Sequence, residues 1–536
     1  MTSTISITLC LMLLSSRTQT SRAELPHLCP ITCQCFSANK VLCTEQRMSS
    51  LPKNLSREVK EVIVMTTSLM YLLPNTFQGS PRLAKLVFLN NAIRDIHARA
   101  FENLTHLEEL DLSGNPWLEH LVQGTFSQQG NLTKLQLNFN KLKTLLPDTF
   151  GSLRNLETLE MKGNLIAHLP VSLFRNLQHL QCLDLSGNWL EEVTREDLEA
   201  LTELRTLKLN NNLLSRLSAD TFHNVSHLRE LHLEGNSLNN LPRDVFSVLT
   251  NLEVLNLRGN FLSNFSSEAF GHFPSSLKEL TLQGNELVEL SDSSFHGLTS
   301  LTSLVLSTNQ LSQLPVDLFQ NLTALENLDL SENHLTSLPE EIFNDLRSVK
   351  TLHLQKNNLT KMAAKLFEDQ SLLRQLHLSD NLLQTIAPGL FASFNYKHVV
   401  RLHGNPWQCD CQVSYLHHWM LHNSVDMEEQ DKVRCRGPKL LSGRTLASID
   451  KDRLVCRLPE DSPPMADGAN CTLRATNGIV IVKCRVDACS PLRVRVQFEA
   501  EDGTVYENVV QRQWPDNKQC NNNNNNNTIY NTPETP

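Results

Sequence analysis

What is scarce in this 536-residue chain narrows its class before any motif is sought. Aromatic residues make up only 6% of it, with five Trp and five Tyr. Basic charge is in deficit: 48 Lys and Arg stand against 57 Asp and Glu, a formal net charge of −9. An acidic chain with no basic run lacks the electrostatic footprint of a nucleic-acid binder. Long apolar runs are missing from the interior, and the longest, ISITLCLMLL from Ile5 to Leu14, lies at the extreme N-terminus. That run is too short to span a bilayer and suits the apolar region of a secretory signal, so no internal membrane span is expected. The nucleophile elbow G-x-S-x-G, the zinc motif H-E-x-x-H and a phosphate loop are all absent, and neither a cofactor nor a metal is expected.

What is abundant is leucine: 96 residues, about 18% of the chain, well above an ordinary globular share. The run LETLEMKGNLI from Leu156 follows the frame LxxLxLxxNxL, and the frame recurs from Leu132, Leu180, Leu204, Leu228, Leu252, Leu277, Leu301 and Leu325. Its asparagine falls at Asn91, Asn115, Asn140, Asn164 and onward to Asn405, in steps of 24 residues with two steps of 25, and Thr67 fills the slot in an earlier copy. About fifteen copies of one period predict an α/β solenoid, a leucine-rich-repeat horseshoe with a parallel sheet on its concave side. The LxL pair alternates with period two and reads as a short strand with both leucines inward. One coil cannot bury its own leucines, but stacked coils bury each other's. Thirteen of the 21 Phe share one slot, from Phe77 to Phe391, with Leu198 in that slot once. They predict a stacked column on the convex side.

The ends of the repeat are marked by cysteine. Cys29, Cys33, Cys35 and Cys43 precede the first copy, and Cys409, Cys411, Cys435 and Cys456 follow the last. Zinc is the rival reading of both clusters, but a secreted chain favours disulfides. Beyond Cys456 the segment from Cys471 reads as two strands about an Asn477-Gly478 turn, followed by an alternating strand from Leu492. Cys471, Cys484, Cys489 and Cys520 allow three pairings there. The expected organisation is therefore a signal peptide over 1–23, a cysteine cap over 24–57 and repeats over 58–405. A second cap follows over 406–457, then a small disulfide-linked β module over 458–520 and an Asn-rich disordered tail over 521–536. Removing 1–23, with Arg17, Arg22 and no acid, takes the charge from −9 to −11. Sequons at Asn54, Asn103, Asn131, Asn224, Asn264, Asn321, Asn358 and Asn470 are glycosylation candidates; a further one, Asn526, lies in the Asn run. Cys182 is the odd cysteine, on the concave side by alternation.

Two H-x-x-E pairs, His106 with Glu109 and His227 with Glu230, occupy one slot of the repeat, so their spacing follows from repetition. The outward residues of the strands form polar ladders suited to broad protein contact. Acids lean to the N-terminal half, where Glu109, Asp111, Glu160 and Asp184 are the expected partner-binding residues, while His and Arg gather at the other end.

Specific runs add a resemblance: CQCF from Cys33, VFLN from Val87, LQLNFN from Leu135, LHGNPWQCDC from Leu402, YL from Tyr415, GP at Gly437, and the tail spacing CT, NGIVIVKC, C, QW, C. In these the chain resembles the non-catalytic, large-subunit family of carboxypeptidase N, over nearly the whole length after the signal. The poly-Asn end departs from that pattern. The resemblance implies a secreted plasma glycoprotein with no catalytic role of its own. It would bind and stabilise a zinc carboxypeptidase that removes C-terminal Arg or Lys from circulating peptides, as two catalytic and two large subunits. No nucleic-acid or membrane partner is implied. The alternative is a carrier of the kind that the acid-labile subunit of growth-factor complexes represents, which lacks the four-cysteine tail.

Overall fold

A computed structural model describes residues 29–52, 55–271, 276–394, 399–422 and 429–455, with the backbone of four strands between 470 and 512. The chain divides into two compact units, 1–455 and 456–536. The expected leader and tail, Asn54, Cys456, Cys489 and Cys520 lie outside the described residues.

The first unit is built on a 17-stranded sheet. Fifteen strands belong to the repeats, from Glu61–Met65 to Val399–Arg401, and successive repeat strands pair in parallel. Most are three residues long with an intermediate–buried–intermediate pattern, the signature of one leucine turned in and two neighbours turned out. Leu159, Leu183, Leu207 and Leu231 stand in register at the centre, each fully buried.

The frame asparagines hold the coils together. Asn212 donates from Nδ2 to the Leu209 carbonyl of its own coil at 2.9 Å and to the Leu185 carbonyl of the previous coil at 3.0 Å. Its Oδ1 accepts from the Leu190 N–H at 3.1 Å. The same triplet recurs at Asn236, Asn260, Asn333, Asn357 and Asn381. An amide that both donates and accepts is what this site requires, because the bend leaves backbone groups of both kinds without strand partners.

The phenylalanine column is present and has two repairs. Rings from Phe77 to Phe174 stack at centroid spacings of 6.2–6.5 Å, close to the offset-stacked range worth about 0.5–1.5 kcal/mol per pair. Leu198 interrupts the column inside a four-residue helix, Arg195–Leu198, where Asp197 accepts from the Thr194 N–H at 2.8 Å and its hydroxyl at 2.9 Å. Between Phe270 and Phe295, across one of the 25-residue steps, Phe265 bridges at 6.4 and 5.6 Å. Near the end, Phe394 joins Phe367 to Phe391 at 6.1 and 5.5 Å.

Disulfide-bonded segments close both ends. Strand Cys33–Ser37 lies antiparallel to Lys40–Cys43, which in turn pairs with the first repeat strand. Bonds Cys29–Cys35 and Cys33–Cys43 staple this hairpin. At the other end Cys409 bonds Cys435, and Cys411 is also disulfide-bonded. Helix Ser414–His422 buries Leu416, His417 and Met420, and its Trp419 packs on Phe391 at 4.5 Å. Tyr415 accepts from the Phe391 N–H at 3.2 Å, which ends the aromatic column on a polar contact. Trp407 is fully buried, with its indole N–H donating to the Leu402 carbonyl at 3.1 Å.

The second unit contains two antiparallel pairs: Asn470–Thr476 with Ile479–Arg485, and Leu492–Glu499 with Val505–Arg512. The first register leaves a two-residue connection at 477–478 and sets Cys471 opposite Cys484.

Candidate interaction surface

The outward residues of the repeat strands form two parallel ladders on one face of the sheet. The one that follows the strand-centre leucine runs Asp111, Gln136, Glu160, Asp184, Lys208, His232, Asn256 in direct register. The four acids singled out in the sequence all stand on this face, but the structure employs them differently. Glu109 pairs with Lys85 at 2.5 Å, and this bond holds the lysine above its usual pKa. Asp111 accepts from the Ser113 N–H at 2.8 Å. Glu160 accepts from Gln136 at 2.9 Å and Asn138 at 2.8 Å. Asp184 is buried, and its Oδ1 accepts from the Ser186 N–H at 2.9 Å and the Ser186 hydroxyl at 2.5 Å. Asp329 and Ser331 repeat that arrangement. An Asp-Leu-Ser run therefore caps its own strand end, a local use that the ladder pattern alone does not distinguish from partner binding.

Further along, His232 lies between Glu230 at 3.7 Å and Glu234 at 3.8 Å. His353 and His377 meet edge to face with ring centroids 4.3 Å apart, and His403 pairs with Glu429 at 2.9 Å. Cys182 is half-buried on the same face, and burial pushes its thiol above the usual pKa, with nearby Lys208 opposing. Among the described residues no three of His, Cys, Asp and Glu gather as metal ligands. Of the two H-x-x-E pairs, His227 bonds through Nδ1 to the Thr202 carbonyl at 2.9 Å, while Glu230 turns to His232. The face offers hydrogen-bonding and charged groups in ranks, an arrangement suited to broad contact with a protein surface.

The sequons differ in access. Asn103, Asn131, Asn264, Asn321 and Asn358 are exposed. Asn224 is half-buried, donates to the Glu199 carbonyl at 3.1 Å and has its Oδ1 buried. None of these six lies on a repeat strand. Asn470 belongs to a strand of the second unit.

A second surface was not anticipated. It lies just beyond the sheet, at the position between the frame Asn and the next buried residue. Trp117, Trp189, Leu213 and Phe261 are each 50–55% exposed there. Trp117 has the Arg94 guanidinium at 5.1 Å and the Lys141 ammonium at 4.8 Å from its ring centroid. Phe139, 56% exposed, has Lys162 at 5.8 Å. The Phe139 ring lies on Gly163, where a Cβ would stand 2.6 Å from it. The signal for this surface was a large apolar residue in a slot that the repeat leaves unspecified.

Comparison with known proteins agrees with this architecture. Matches to the family described as Leucine rich repeat run from residues 57–116 and 117–166 through overlapping stretches to 347–405. The chain belongs to the leucine-rich-repeat family. Human carboxypeptidase N subunit 2 is 34% identical over 118 residues, 18% of this chain and 22% of that one. Rat reticulon-4 receptor-like 2 is also 34% identical over 118 residues, covering 22% and 28% of the two chains. Trophoblast glycoprotein of Macaca fascicularis is 32% identical over 111 residues, 20% and 26%. The chain thus spans about a quarter of the length of the curated relatives it matches. Among solved structures, a leucine-rich-repeat protein of Leptospira interrogans aligns with a TM-score of 0.62 and 28% identity, over 72% of this chain and 93% of that one. The TLR13 chain of a complex with single-stranded RNA aligns with a TM-score of 0.58 and 25% identity, over 75% and 57%. The kinship reaches carboxypeptidase N subunit 2 and other leucine-rich-repeat proteins at similar strength, each over about a fifth of this chain. Among the described residues no helix is long and apolar enough to cross a membrane.

Proposed function

We propose that this chain is a secreted, non-catalytic subunit that binds and stabilises a zinc carboxypeptidase acting on C-terminal Arg or Lys of plasma peptides. The observation that carries this reading is the 34% identical segment shared with carboxypeptidase N subunit 2. Two features support it: polar ladders suited to a protein partner, and disulfide-bonded ends that fit an oxidising compartment. The partner is the catalytic chain, and Glu109, Asp111 and Glu160 are the contacts proposed for it. Asp184 contributes by shaping the strand end.

The test is to capture the chain from plasma and assay the captured material for basic carboxypeptidase activity. Co-capture that falls on charge reversal of Glu109, Asp111 and Glu160 supports the reading. Absence of such activity from the native complex defeats it. A second reading, a ligand-binding receptor or carrier, is favoured by the equal identity to reticulon-4 receptor-like 2. Capture of a non-enzyme ligand in place of the carboxypeptidase would select it.

A further inference from the structure

The exposed rings beside the sheet belong to a rim stripe that follows the coils. Lys141, Leu165, Trp189 and Leu213 each donate a backbone N–H to the preceding coil, to the Leu118, Leu142, Ile166 and Leu190 carbonyls respectively, at 2.9–3.0 Å. They are successive rungs of it. Four successive coils of the stripe carry a patch in which rings hold cations. Arg94 and Lys141 lie 5.1 and 4.8 Å from the Trp117 ring centroid, and Lys162 lies 5.8 Å from that of Phe139. None of these three cations forms an ion pair among the described residues. Acids nearby are engaged elsewhere: Glu119 with Lys143 at 3.0 Å, and Glu160 with Gln136 and Asn138.

Phe139 is the second sign that the patch serves something other than stacking. Its φ is 53°, in the left-handed region. The same slot holds Gly114 in the preceding coil, Gly163 in the following one and Asn90 two coils back, all likewise at positive φ. Glycine and asparagine adopt that conformation at little cost, whereas a bulky side chain is strained in it. The fold takes little burial in return, since the ring is 56% exposed. A strained residue that packing does not require points to a use outside the fold.

We propose that this patch is a docking site for an acidic peptide segment of a partner protein, lying extended along the rim with Asp or Glu interspersed among apolar side chains. A cation seated on a ring keeps its charge, and a carboxylate from outside supplies the charge-assisted hydrogen bonds that no residue of this chain gives it. Half-exposed Trp117 and Phe139 are anchors of the kind that dominate binding at the centre of an interface. Arg94 and Lys162 stand three coils apart, about 14 Å at the spacing of stacked strands, which about four extended residues span. A sulfated glycan answers to the same charge, but it calls for a run of about five or more Lys and Arg, and the three cations here are set apart by rings. The sequons leave the patch open. Asn103 and Asn131 come ahead of strands Glu109–Asp111 and Lys134–Gln136, Trp117 and Phe139 come after them, and no further sequon occurs before Asn224. The site is independent of which partner the polar ladders take.

The experiment uses the full chain secreted from cultured animal cells, immobilised and offered a phage-displayed library of random peptides about twelve residues long. A recovered peptide is then synthesised and its affinity measured by fluorescence anisotropy. Recovered sequences should be enriched in Asp and Glu beside Leu, Phe or Tyr, and binding should weaken as salt is raised. Replacing the acids of the synthetic peptide by Gln should cost at least about tenfold in affinity, as should Arg94→Gln with Lys141→Gln in the protein. Phe139→Asn should also cost at least about tenfold with no fall in thermal midpoint, because asparagine suits the left-handed backbone. A library that yields no peptide, or peptides without acidic enrichment, overturns the proposal. So does binding that survives both protein variants, or a lowered midpoint in Phe139→Asn, which would place the ring in the service of the fold. Heparin retention that the same variants abolish, with no acidic peptide recovered, overturns it in favour of a sulfated glycan.

Discussion

Asn357 and Asn358 are neighbours of the same type, and the structure assigns them opposite energetic weight. Asn357 is 4% exposed. Its Nδ2 donates to the Leu330 carbonyl at 2.9 Å and the Leu354 carbonyl at 3.2 Å, and its Oδ1 accepts from the Leu335 N–H at 3.1 Å. Truncation in Asn357→Ala does not strip these partners equally. Leu330 still accepts from Asn333 at 3.2 Å and Leu354 from Asn381 at 2.9 Å. Each carbonyl therefore falls from two bonds to one, a loss of about 0.5–1 kcal/mol apiece, while the buried Leu335 N–H loses its acceptor outright, about 1–3 kcal/mol. The expected destabilisation is about 2–5 kcal/mol. Asn358 is exposed and makes no side-chain hydrogen bond among the described residues, so Asn358→Ala should cost no more than about 0.5 kcal/mol once both proteins are deglycosylated. Urea unfolding followed by circular dichroism reads the difference as a shift in midpoint at constant slope. Hydrogen exchange resolves it locally, with the Leu335 amide losing protection, since a solenoid can open coil by coil. Asn357→Asp separates the parts further: it keeps the acceptor, loses both donors, and its cost should shrink as pH falls and the carboxyl regains a proton to donate. If Asn357→Ala and Asn358→Ala unfold at the same urea concentration, the asparagine ladder is not what joins the coils.

Two further predictions concern single residues. Burial holds the Cys182 thiol above its usual pKa, so the thiolate fraction at neutral pH is small. Alkylation should then be slower than for an unfolded control at pH 7 and rise steeply above pH 9, and rapid labelling at pH 7 would contradict that placement. Glycan mapping by mass spectrometry should find Asn224 occupied less than Asn321, because its amide is engaged with Glu199 and its Oδ1 is buried. Equal occupancy would show that this coil is modified before it closes.

The inward half of the molecule was readable because repetition forces it. A leucine at each strand centre, an asparagine at each bend and a phenylalanine in each convex slot are demanded by stacking, so their 24-residue recurrence carries the coil geometry directly. Departures from the period were not readable to the same depth. Phe265 and Phe394 lie outside the column's slot, yet each fills a break in it, which only three-dimensional spacing reveals. The outward half is where sequence reasoning thinned. Asp184 and Glu160 are equivalent in the ladder, but Ser186 two residues on turns one of them into a buried cap, while Gln136 and Asn138 orient the other. A carboxylate's availability depends on short-range partners that a count of acids does not record. The rim stripe was harder still, because its slot tolerates Lys, Leu, Trp, Ser and Glu alike and therefore has no period. Where stacking imposes no residue, whatever stands there is free to serve contact with other molecules. In this chain that freedom has placed Trp117, Phe139 and Trp189 in solvent, in slots where the repeat itself requires no ring.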